Sequence, residues 1–312
     1  MYLITKAPLL LKVMGAFAFG AQICFNIYMY NNIRILQAQM KATPQPDQAV
    51  AKVKELCSLA KKEQVDLVSL PEMFCCPYET ASFPLYAEPE GGPIFSACAD
   101  LAKNYQLYLA AGSIAEKDAQ GHIYNTAYVF NPQGELIAKH RKVHLFDIEI
   151  KGGQSFRESD TLSPGQKVTV FPTDFGPIGL CICYDFRFPE LSRLMALQGA
   201  QIVLVPAAFN LTTGPLHWEL TFRSQAVFNQ FFALGTAPAR DLSASYHSWG
   251  HTIAADPWGR IVAELEEKEG WQIVDLDLNQ VKQVRQQLPL LKHRRNDLYS
   301  LTLKTSQVKC LP

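Results

Sequence analysis

From about residue 33 onward, short apolar runs alternate with longer segments whose apolar residues recur at helical spacing. The short runs predict buried strands, and the longer segments predict helices. A repeated order of strand, helix and strand constrains a chain to an α/β fold, in which helices cover the faces of a sheet. The sequence has no internal repeat, low-complexity tract or linker, so we predict one domain with mixed sheets covered by helices.

Proline, glycine and apolar spacing delimit the predicted elements. Single strands are expected at 33–40, 65–70, 107–112, 178–181, 201–205 and 231–236. Helices are expected from Pro46 onward and at 94–104, 189–199 and 215–229. Two hairpins are expected, 125–130 with 136–142 and 251–255 with 260–265, because each pair flanks a turn sequence that contains proline and glycine.

Composition excludes several classes of function. Of the 312 residues, 48% are hydrophobic and 19% are charged, which is typical of a globular protein. The 29 basic and 29 acidic residues give no basic excess, so nucleic acid is not an expected partner. The eight cysteines include no C-x-x-C pair and lie mostly in apolar stretches. We therefore predict reduced thiols in a cytoplasmic protein and no metal site.

The first 30 residues differ from the rest. Between residues 7 and 30 the only charged side chain is Lys12. The segment is either a membrane anchor or an extension that precedes a true translation start at Met29. We favour the start at Met29, because Gln22, Asn26 and two glycines interrupt the segment and its uncharged core is short for a membrane span. Membrane contact is expected only if the anchor is real.

Two reactive side chains stand where a predicted strand ends, the usual place for a site in an α/β fold. Glu72 follows the strand 65–70. It either marks the exit of the chain to solvent or acts as a general base among apolar neighbours. Lys142 ends the strand 136–142. Alternation places Ala138, His140 and Lys142 on one face, so Lys142 is either part of a solvated basic run or a fixed positive charge for an oxyanion.

Cys183 lies between a predicted strand and the helix that Pro189 begins. Its neighbour Cys181 reads as a small core residue. A thiol at such an elbow is expected to face a cleft, where the helix N-terminus, Arg187 and Lys142 favour the thiolate. A nucleophile beside a base and a cation is the arrangement of activated-nucleophile catalysis.

Three motifs in this order resemble the nitrilase superfamily of carbon–nitrogen hydrolases, and the similarity runs from about residue 33 to 299. They are Leu70-Pro71-Glu72, His140-Arg141-Lys142-Val143-His144-Leu145-Phe146-Asp147 and Cys183-Tyr184-Asp185-Phe186-Arg187-Phe188-Pro189-Glu190-Leu191. The resemblance implies a four-layer α-β-β-α sandwich with two mixed sheets. It divides the chain into the apolar extension 1–30, a hydrolase domain 31–285 and a tail 286–312 that packs on its own surface or on a partner subunit.

Other segments resemble the omega-amidase branch, which hydrolyses the terminal amide of 2-oxoglutaramate or 2-oxosuccinamate to a dicarboxylic keto acid and ammonia. They are 209–220, 237–241, 249–251 and 295–299. Two departures from the branch are Gly152-Gly153, in place of a proline-containing loop, and Phe228, in place of an acidic residue. The alternatives are another amidase of the superfamily, a carbamoyl-amide hydrolase or a nitrilase. A non-catalytic binding protein and a membrane-anchored acyltransferase on the same fold are less favoured.

The resemblance also implies roles for individual residues. Cys183 is the nucleophile, Glu72 the base, and Lys142 an oxyanion partner together with the backbone N–H of Tyr184. Glu158 supports Lys142 or the substrate amide, with a surface ion pair as the alternative. Tyr78, Arg187, Phe209 and Thr213 match substrate-binding positions, where Arg187 reads the far carboxylate. No cofactor is required and a homodimer is expected. We also expect Cys75 and Cys76, close to Glu72, to make the enzyme sensitive to oxidation.

Overall fold

The structure is a computed structural model that describes residues 30–149, 151 and 155–304. The apolar extension up to residue 29 and the Gly152-Gly153 loop therefore lie outside the described residues. Within the described residues, no helix is both long enough and apolar enough to cross a membrane.

Seven strands form the first sheet. They are β1 (Asn32–Gln39), β2 (Leu67–Ser69), β3 (Tyr108–Ala110), β4 (Ile114–Lys117), β5 (Ile123–Phe130), β6 (Leu136–Arg141) and β15 (Gly270–Asp277). Their order across the sheet is β15-β1-β2-β3-β5-β4, with β6 paired to β5. Strands β1, β2 and β3 are parallel to one another, and the outer strands are antiparallel.

Six strands form the second sheet, in the order β14-β13-β12-β11-β10-β9. It is also mixed, with β10, β11 and β12 parallel. The strands are β9 (Thr169–Thr173), β10 (Gly176–Leu180), β11 (Ile202–Pro206), β12 (Phe232–Thr236), β13 (Ile253–Ala255) and β14 (Ile261–Glu264). A separate two-stranded ribbon pairs β7 (Asp147–Glu149) with β8 (Ser155–Arg157).

Helices cover the outer face of each sheet. They are α1 (Pro46–Lys62), α2 (Phe83–Tyr86), α3 (Pro93–Tyr105), α4 (Pro189–Leu197), α5 (Gly214–Asn229) and α6 (Asn279–Gln287). Helices α1 and α3 pack on the first sheet, and α5 packs on the second. Proline stands in the first turn of all but α6, the position where its missing N–H costs nothing.

The alternation of side chains along β1 shows how the layers pack. Ile33 and Ile35 point into the core between the two sheets, whereas Leu36 and Ala38 point into the core beneath α1 and α3. Successive side chains of a strand point to opposite faces, and both faces of β1 are apolar because both are covered. The predicted four-layer sandwich with two mixed sheets is confirmed.

A buried polar contact joins the two sheets across this core. The Gln37 amide on β1 donates hydrogen bonds to the carbonyls of Gly235 (3.1 Å) and Ile253 (3.2 Å) in the second sheet. Its carbonyl accepts from Gln272 Nε2 on β15 (2.9 Å). Buried polar groups are costly unless they are paired, so these bonds favour a single register of one sheet on the other.

The strands and helices that the sequence predicted are present with small errors in their ends, but the sequence missed α2, β4, β7, β8, β9, β15 and α6. β15 pairs with β1 along its whole length and places Val274 and Leu276 in the core. Its alternating pattern is interrupted by the buried Gln272, which weakens the strand signal. In the tail, Leu291 packs on the same core, so part of the tail contacts its own subunit.

We expect Gln37→Leu to destabilise the protein by about 2 kcal/mol, because it leaves the Gln272 amide and two strand carbonyls buried without their partner. Urea unfolding followed by tryptophan fluorescence measures the change. The matched control is Gln48→Leu on the exposed side of α1, which should cost less than about 0.5 kcal/mol. Equal losses for the two variants would contradict a role for the polar contact between the sheets.

Candidate active site

Lys142 lies fully buried between two carboxylates. Its ammonium donates to Glu72 Oε1 and to Glu158 Oε1, each at 2.9 Å, and none of the three side chains is exposed to solvent. Burial by itself lowers the pKa of Lys142, but the charges of Glu158 and Glu72 outweigh it and raise the pKa well above its ordinary value. The lysine therefore carries a permanent positive charge, and the idea of a solvated basic run is wrong for Lys142.

Glu72 is held by four donors. Its Oε1 accepts from Lys142 Nζ, Tyr78 Oη (3.1 Å) and Asn125 Nδ2 (2.8 Å). Its Oε2 accepts from the backbone N–H of Ala208 (2.9 Å). The immediate partners of Glu72 are thus polar, contrary to the apolar surroundings expected from the sequence, and they fix the orientation of the carboxylate.

The chain reaches Glu72 through a close approach of two loops. Gly112 has φ +53°, and a Cβ atom there would come within 2.0 Å of the Pro71 carbonyl. Met73, directly after Glu72, also has a positive φ of 50°. A non-glycine residue in this region carries strain that the surroundings must hold, which is common at functional sites.

The strand before Lys142 alternates as predicted. His140 and Lys142 point inward and are buried, whereas Lys139 and Arg141 point outward to the carboxylate of Glu116. The expected basic run is therefore divided. Lys139 and Arg141 pair with Glu116 on the outer face, and His140 and Lys142 lie on the buried face that carries the site.

Glu158 is fully buried, so the alternative of a surface ion pair is wrong. It begins a short 3-10 helix, Glu158–Asp160, after the ribbon. Its Oε1 accepts from Lys142 and from Tyr78 Oη (2.9 Å), and its Oε2 accepts from the Phe146 N–H (2.7 Å). Burial raises the pKa of Glu158, and Lys142 opposes that rise only in part.

Cys183 stands at an elbow between β10 and α4, with a positive φ of 47°. The side chain is only 4% exposed, so it is enclosed rather than open to a cleft as expected. Burial first, and then the charge of Glu72, raise the pKa of the Cys183 thiol well above its ordinary value, against the opposing effects of Lys142 and the Ala208 N–H. The expectation that neighbouring cations favour the thiolate is not met, because burial and the charge of Glu72 outweigh the opposing effect of Lys142.

Two predicted substrate-binding residues meet next to the elbow. The Arg187 guanidinium lies 4.1 Å from the centre of the Phe209 ring and donates to His217 Nδ1 (2.8 Å). Burial lowers the pKa of Arg187, and no carboxylate among the described residues forms an ion pair with it. Among the residues that the structure describes, the guanidinium is thus oriented without an anionic partner.

The other predicted positions are placed differently. The Tyr78 hydroxyl bridges Glu72 and Glu158, so it orients the carboxylates of the site. The Thr213 hydroxyl is donated to Asn210 Oδ1 (3.0 Å) just before α5. Tyr184 follows the nucleophile candidate, and its ring packs edge-on against Phe146. The contacts of Tyr78 and Thr213 with substrate, and the catalytic support from Tyr184, remain predictions.

A cavity of about 340 Å³ reaches Glu72. Tyr78, Ala208 and Tyr246 line its inner end, and the loop 241–245 lines its mouth. A space of this size accommodates a small molecule.

Sequence reasoning missed four partners of the site. Asn125 and the Ala208 N–H bind Glu72, the Tyr246 hydroxyl donates to the Ala208 carbonyl, and Asp185 binds the segment around Lys142. Asn125 and Asp185 had a usable signal, since each is a polar side chain within a stretch that is otherwise apolar. A backbone N–H such as that of Ala208 leaves no trace in the sequence.

Cys75 and Cys76 are buried, and burial raises the pKa of Cys75 well above its ordinary value and that of Cys76 to about 12. Because both thiols are enclosed and burial keeps them protonated, the expected sensitivity to oxidation has no support in this pair. Among the described residues, no group of three or more His, Cys, Asp and Glu side chains is arranged to hold a metal ion.

Comparison with known proteins agrees with this geometry. The carbon–nitrogen hydrolase family model matches residues 32–286. The chain belongs to this family. A curated omega-amidase NIT2 of Mus musculus is 47% identical over 251 residues, which are 80% of this chain and 91% of that protein. A hydrolase of Schizosaccharomyces pombe is 49% identical over 246 residues, 78% of this chain and 76% of that protein.

A solved structure extends the similarity to the fold. Nit3 of Saccharomyces cerevisiae, a member of branch 10 of the nitrilase superfamily, superposes with a TM-score of 0.78 at 41% identity and covers 85% of this chain and 97% of its own. The superfamily and the hydrolase class that the motifs predicted are confirmed.

Lys142→Met should destabilise the protein by about 3 kcal/mol at pH 8, because it leaves two buried carboxylates without their cation. The pKa of Glu158 is already raised, and it should rise further in the variant. A carboxyl whose folded pKa exceeds its unfolded value stabilises at low pH and loses that contribution as pH rises. The loss should therefore be smaller at pH 5 than at pH 8.

Urea unfolding at both pH values measures this difference. Lys139→Met, on the outer face of the same strand, is the matched control and should cost about 1 kcal/mol or less. An equal loss for Lys142→Met at pH 5 and pH 8 would contradict the buried charge cluster.

Proposed function

We propose that this protein is an omega-amidase-like hydrolase that cleaves the terminal amide of 2-oxoglutaramate or 2-oxosuccinamate through a thioester on Cys183. The observation that carries the proposal is the buried cluster of Glu72, Lys142 and Glu158 next to an enclosed thiol. The sequence similarity to omega-amidases supports the choice of substrate.

The protonation of the thiol determines the first step. Because Cys183 is a thiol in the free enzyme, attack requires a base that takes its proton as the bond to the amide carbon forms. Glu72 Oε1 faces three donor groups, whereas Oε2 has one described donor, the Ala208 N–H, so Oε2 is the oxygen with room for this proton. The Ala208 N–H interacts with both Oε2 and the Cys183 sulfur, which places that oxygen on the side of the nucleophile.

The tetrahedral oxyanion requires donors that are already in place. An ammonium has three hydrogens, and Lys142 donates two to described carboxylates, so the third is left for the oxyanion. The backbone N–H of Tyr184, next to the nucleophile, is the second donor. As the C–N bond breaks, Glu72 returns its proton to the nitrogen, ammonia leaves, and the acyl group remains on sulfur.

The second half-reaction repeats the same transfers with water. Glu72 takes a proton from water as its oxygen attacks the thioester carbon, and the C–S bond breaks in the collapse of the second tetrahedral intermediate. The proton returns to the sulfur, which restores the Cys183 thiol and releases the carboxylic acid. Two steps through a thioester avoid direct attack of water on an unreactive amide. None of these steps uses a cofactor.

The far carboxylate of the substrate would bind Arg187. Phe209 and His217 orient the guanidinium from two sides, and no described carboxylate neutralises it. A planar guanidinium suits two parallel hydrogen bonds to a carboxylate. Phe209, whose ring lies against the guanidinium, would form a wall beside the bound carboxylate. We retain Thr213 and Tyr78 as proposed contacts of the substrate.

A panel of amides tests the proposal. We expect ammonia release from 2-oxoglutaramate and 2-oxosuccinamate with a kcat/KM at least about 100-fold above that for butyramide, which lacks the far carboxylate, because a buried polar site discriminates strongly against a missing partner. Nitriles and carbamoyl amino acids complete the panel. Activity on either of those classes alone would show that the protein belongs to another branch of the superfamily.

Two variants control the panel. Cys183→Ala should abolish turnover of every amide while the thermal unfolding midpoint stays near that of the wild type. Arg187→Met should raise the KM for 2-oxoglutaramate and leave butyramide hydrolysis nearly unchanged. An equal effect on both substrates would show that Arg187 does not bind the far carboxylate of the substrate.

We further propose a cytoplasmic homodimer that forms through the outer face of α5. Leu216, Leu220 and Phe228 recur every four or eight residues along this face and are 71%, 64% and 55% exposed. Trp258, 45% exposed, lies beside them. An apolar stripe of this kind on a soluble helix is typical of an interface. Helix α5 also packs on the elbow that carries Cys183, so the interface would support the site from behind.

Leu220→Glu should convert the dimer to a monomer in sedimentation equilibrium, because a charge in the centre of the stripe is desolvated on association. Leu85→Glu is the matched control, since Leu85 is also exposed but lies on α2, away from the stripe. A wild-type protein that sediments as a monomer, or a dimer that survives Leu220→Glu, would contradict this interface.

A further inference from the structure

Asp185 is a fully buried carboxylate two residues after Cys183, and the thiol chemistry proposed above does not use it. Its Oδ2 accepts from the backbone N–H of Ile182 (3.1 Å), the residue directly before the nucleophile. The carboxylate is thus fixed to the backbone of the elbow at its own end.

The same carboxylate holds the segment that carries Lys142. Asp185 Oδ2 accepts from His140 Nε2 (2.9 Å), and Oδ1 accepts from the backbone N–H of Val143 (3.1 Å). His144 donates to Oδ1 through both its backbone N–H and its Nδ1, each at 2.8 Å. These donors precede and follow Lys142 in the sequence, so Asp185 holds the chain on both sides of Lys142.

We propose that Asp185 is a positioning residue, which ties the elbow of Cys183 to the segment of Lys142 and so keeps the ammonium in place for the oxyanion. This inference rests on the proposed thiol mechanism. The two segments come from different sheets, β6 in the first and β10 in the second, so a bond across them fixes a distance that neither sheet fixes alone.

The electrostatics of Asp185 agree with a carboxylate whose role is to accept hydrogen bonds. Burial alone raises the pKa of Asp185, but the hydrogen bonds from His140 and His144 outweigh it and lower the pKa below its ordinary value. Asp185 therefore remains ionised at neutral pH, and an asparagine in its place would present N–H groups to donors.

The matched control is Glu116 on β4, whose carboxylate binds the outward side chains of β6. Glu116 is also a buried carboxylate, only 2% exposed, and it accepts from Lys139, Arg141 and Thr126. It holds outward side chains of β6 and makes no described hydrogen bond to the elbow. Glu116→Gln removes a buried charge beside β6, as Asp185→Asn does, but it leaves the hydrogen bonds between the Lys142 segment and the Cys183 elbow in place.

The experiment compares Asp185→Asn with Glu116→Gln in the full-length protein, at a temperature where both are folded by circular dichroism. With 2-oxoglutaramate, Asp185→Asn should lower kcat about 100-fold with little change in KM, the size of effect that a small misplacement of a reacting group produces. Glu116→Gln should retain a kcat near the wild-type value. The pH profile of Cys183 alkylation by iodoacetamide, monitored by mass spectrometry, should shift upward only in Asp185→Asn, because Lys142 lowers the pKa of that thiol.

A second pair of variants decides the matter if Asp185→Asn does not fold. His144 is partly exposed, so its replacement is milder. His144→Ala should lower kcat and His144→Asn should restore most of it, since the asparagine amide can donate from the position of Nδ1. Three results would overturn the proposal. They are equal kcat losses in Asp185→Asn and Glu116→Gln, a change in Asp185→Asn that is confined to KM, and no rescue of kcat by His144→Asn. A wild-type enzyme inactive on every amide would instead refute the proposed function, while the alkylation profile would still test Asp185.

Discussion

The buried contact of Lys142 with Glu72 and Glu158 is the interaction on which the rest of the site depends. Moving an ion from water into a protein interior costs several kcal/mol, and only close oppositely charged partners with further hydrogen bonds offset it. Here each carboxylate is also bound by Tyr78 and by a backbone N–H. The site therefore contains a fully buried cation, and its attraction for a developing negative charge is weakened less by solvent than at the protein surface.

The sum of these charges explains why the nucleophile is held as a thiol. Two carboxylates and one ammonium give the cluster one net negative charge, and a thiolate would add a second in the same low-dielectric space. The pKa of Cys183 is accordingly raised by burial and by Glu72 more than Lys142 lowers it. In the proposed attack, the thiol proton moves to Glu72 and the new negative charge appears on the amide oxygen. The total charge of the site would then stay constant while its position changes, and the third hydrogen of Lys142 would donate to the oxygen that receives the charge.

The sequence predicted the fold and the charged residues of the site for clear physical reasons. Short apolar runs specify buried strands, and reactive side chains just after such runs indicated Glu72 and Cys183. Lys142 was indicated by the alternation of inward and outward side chains along the strand before it. The protonation state of Cys183 could not be predicted in the same way, because it depends on burial and on distances between segments far apart in the chain. The hydrogen bond from the Ala208 N–H and the bridging role of Tyr78 also depend on tertiary contacts that no local pattern records. Strand β15 was missed because Gln272 interrupts its apolar face, and that side chain is buried only because Gln37 of β1 pairs with it.

The two sheets contribute different parts of the site, and this division connects the fold to the chemistry. Glu72 and Lys142 follow strands of the first sheet, whereas Cys183 and the Ala208 N–H follow strands of the second. A slip of one sheet on the other would separate Glu72 from Cys183 while leaving each sheet intact. The buried amide of Gln37 and the carboxylate of Asp185 both cross this boundary, the first near the centre of the sandwich and the second beside the site. Apolar packing alone is tolerant of small shifts, whereas a buried polar group loses its partner when it moves by an ångström. Polar contacts between the sheets therefore give the site the precision that the apolar core by itself does not provide.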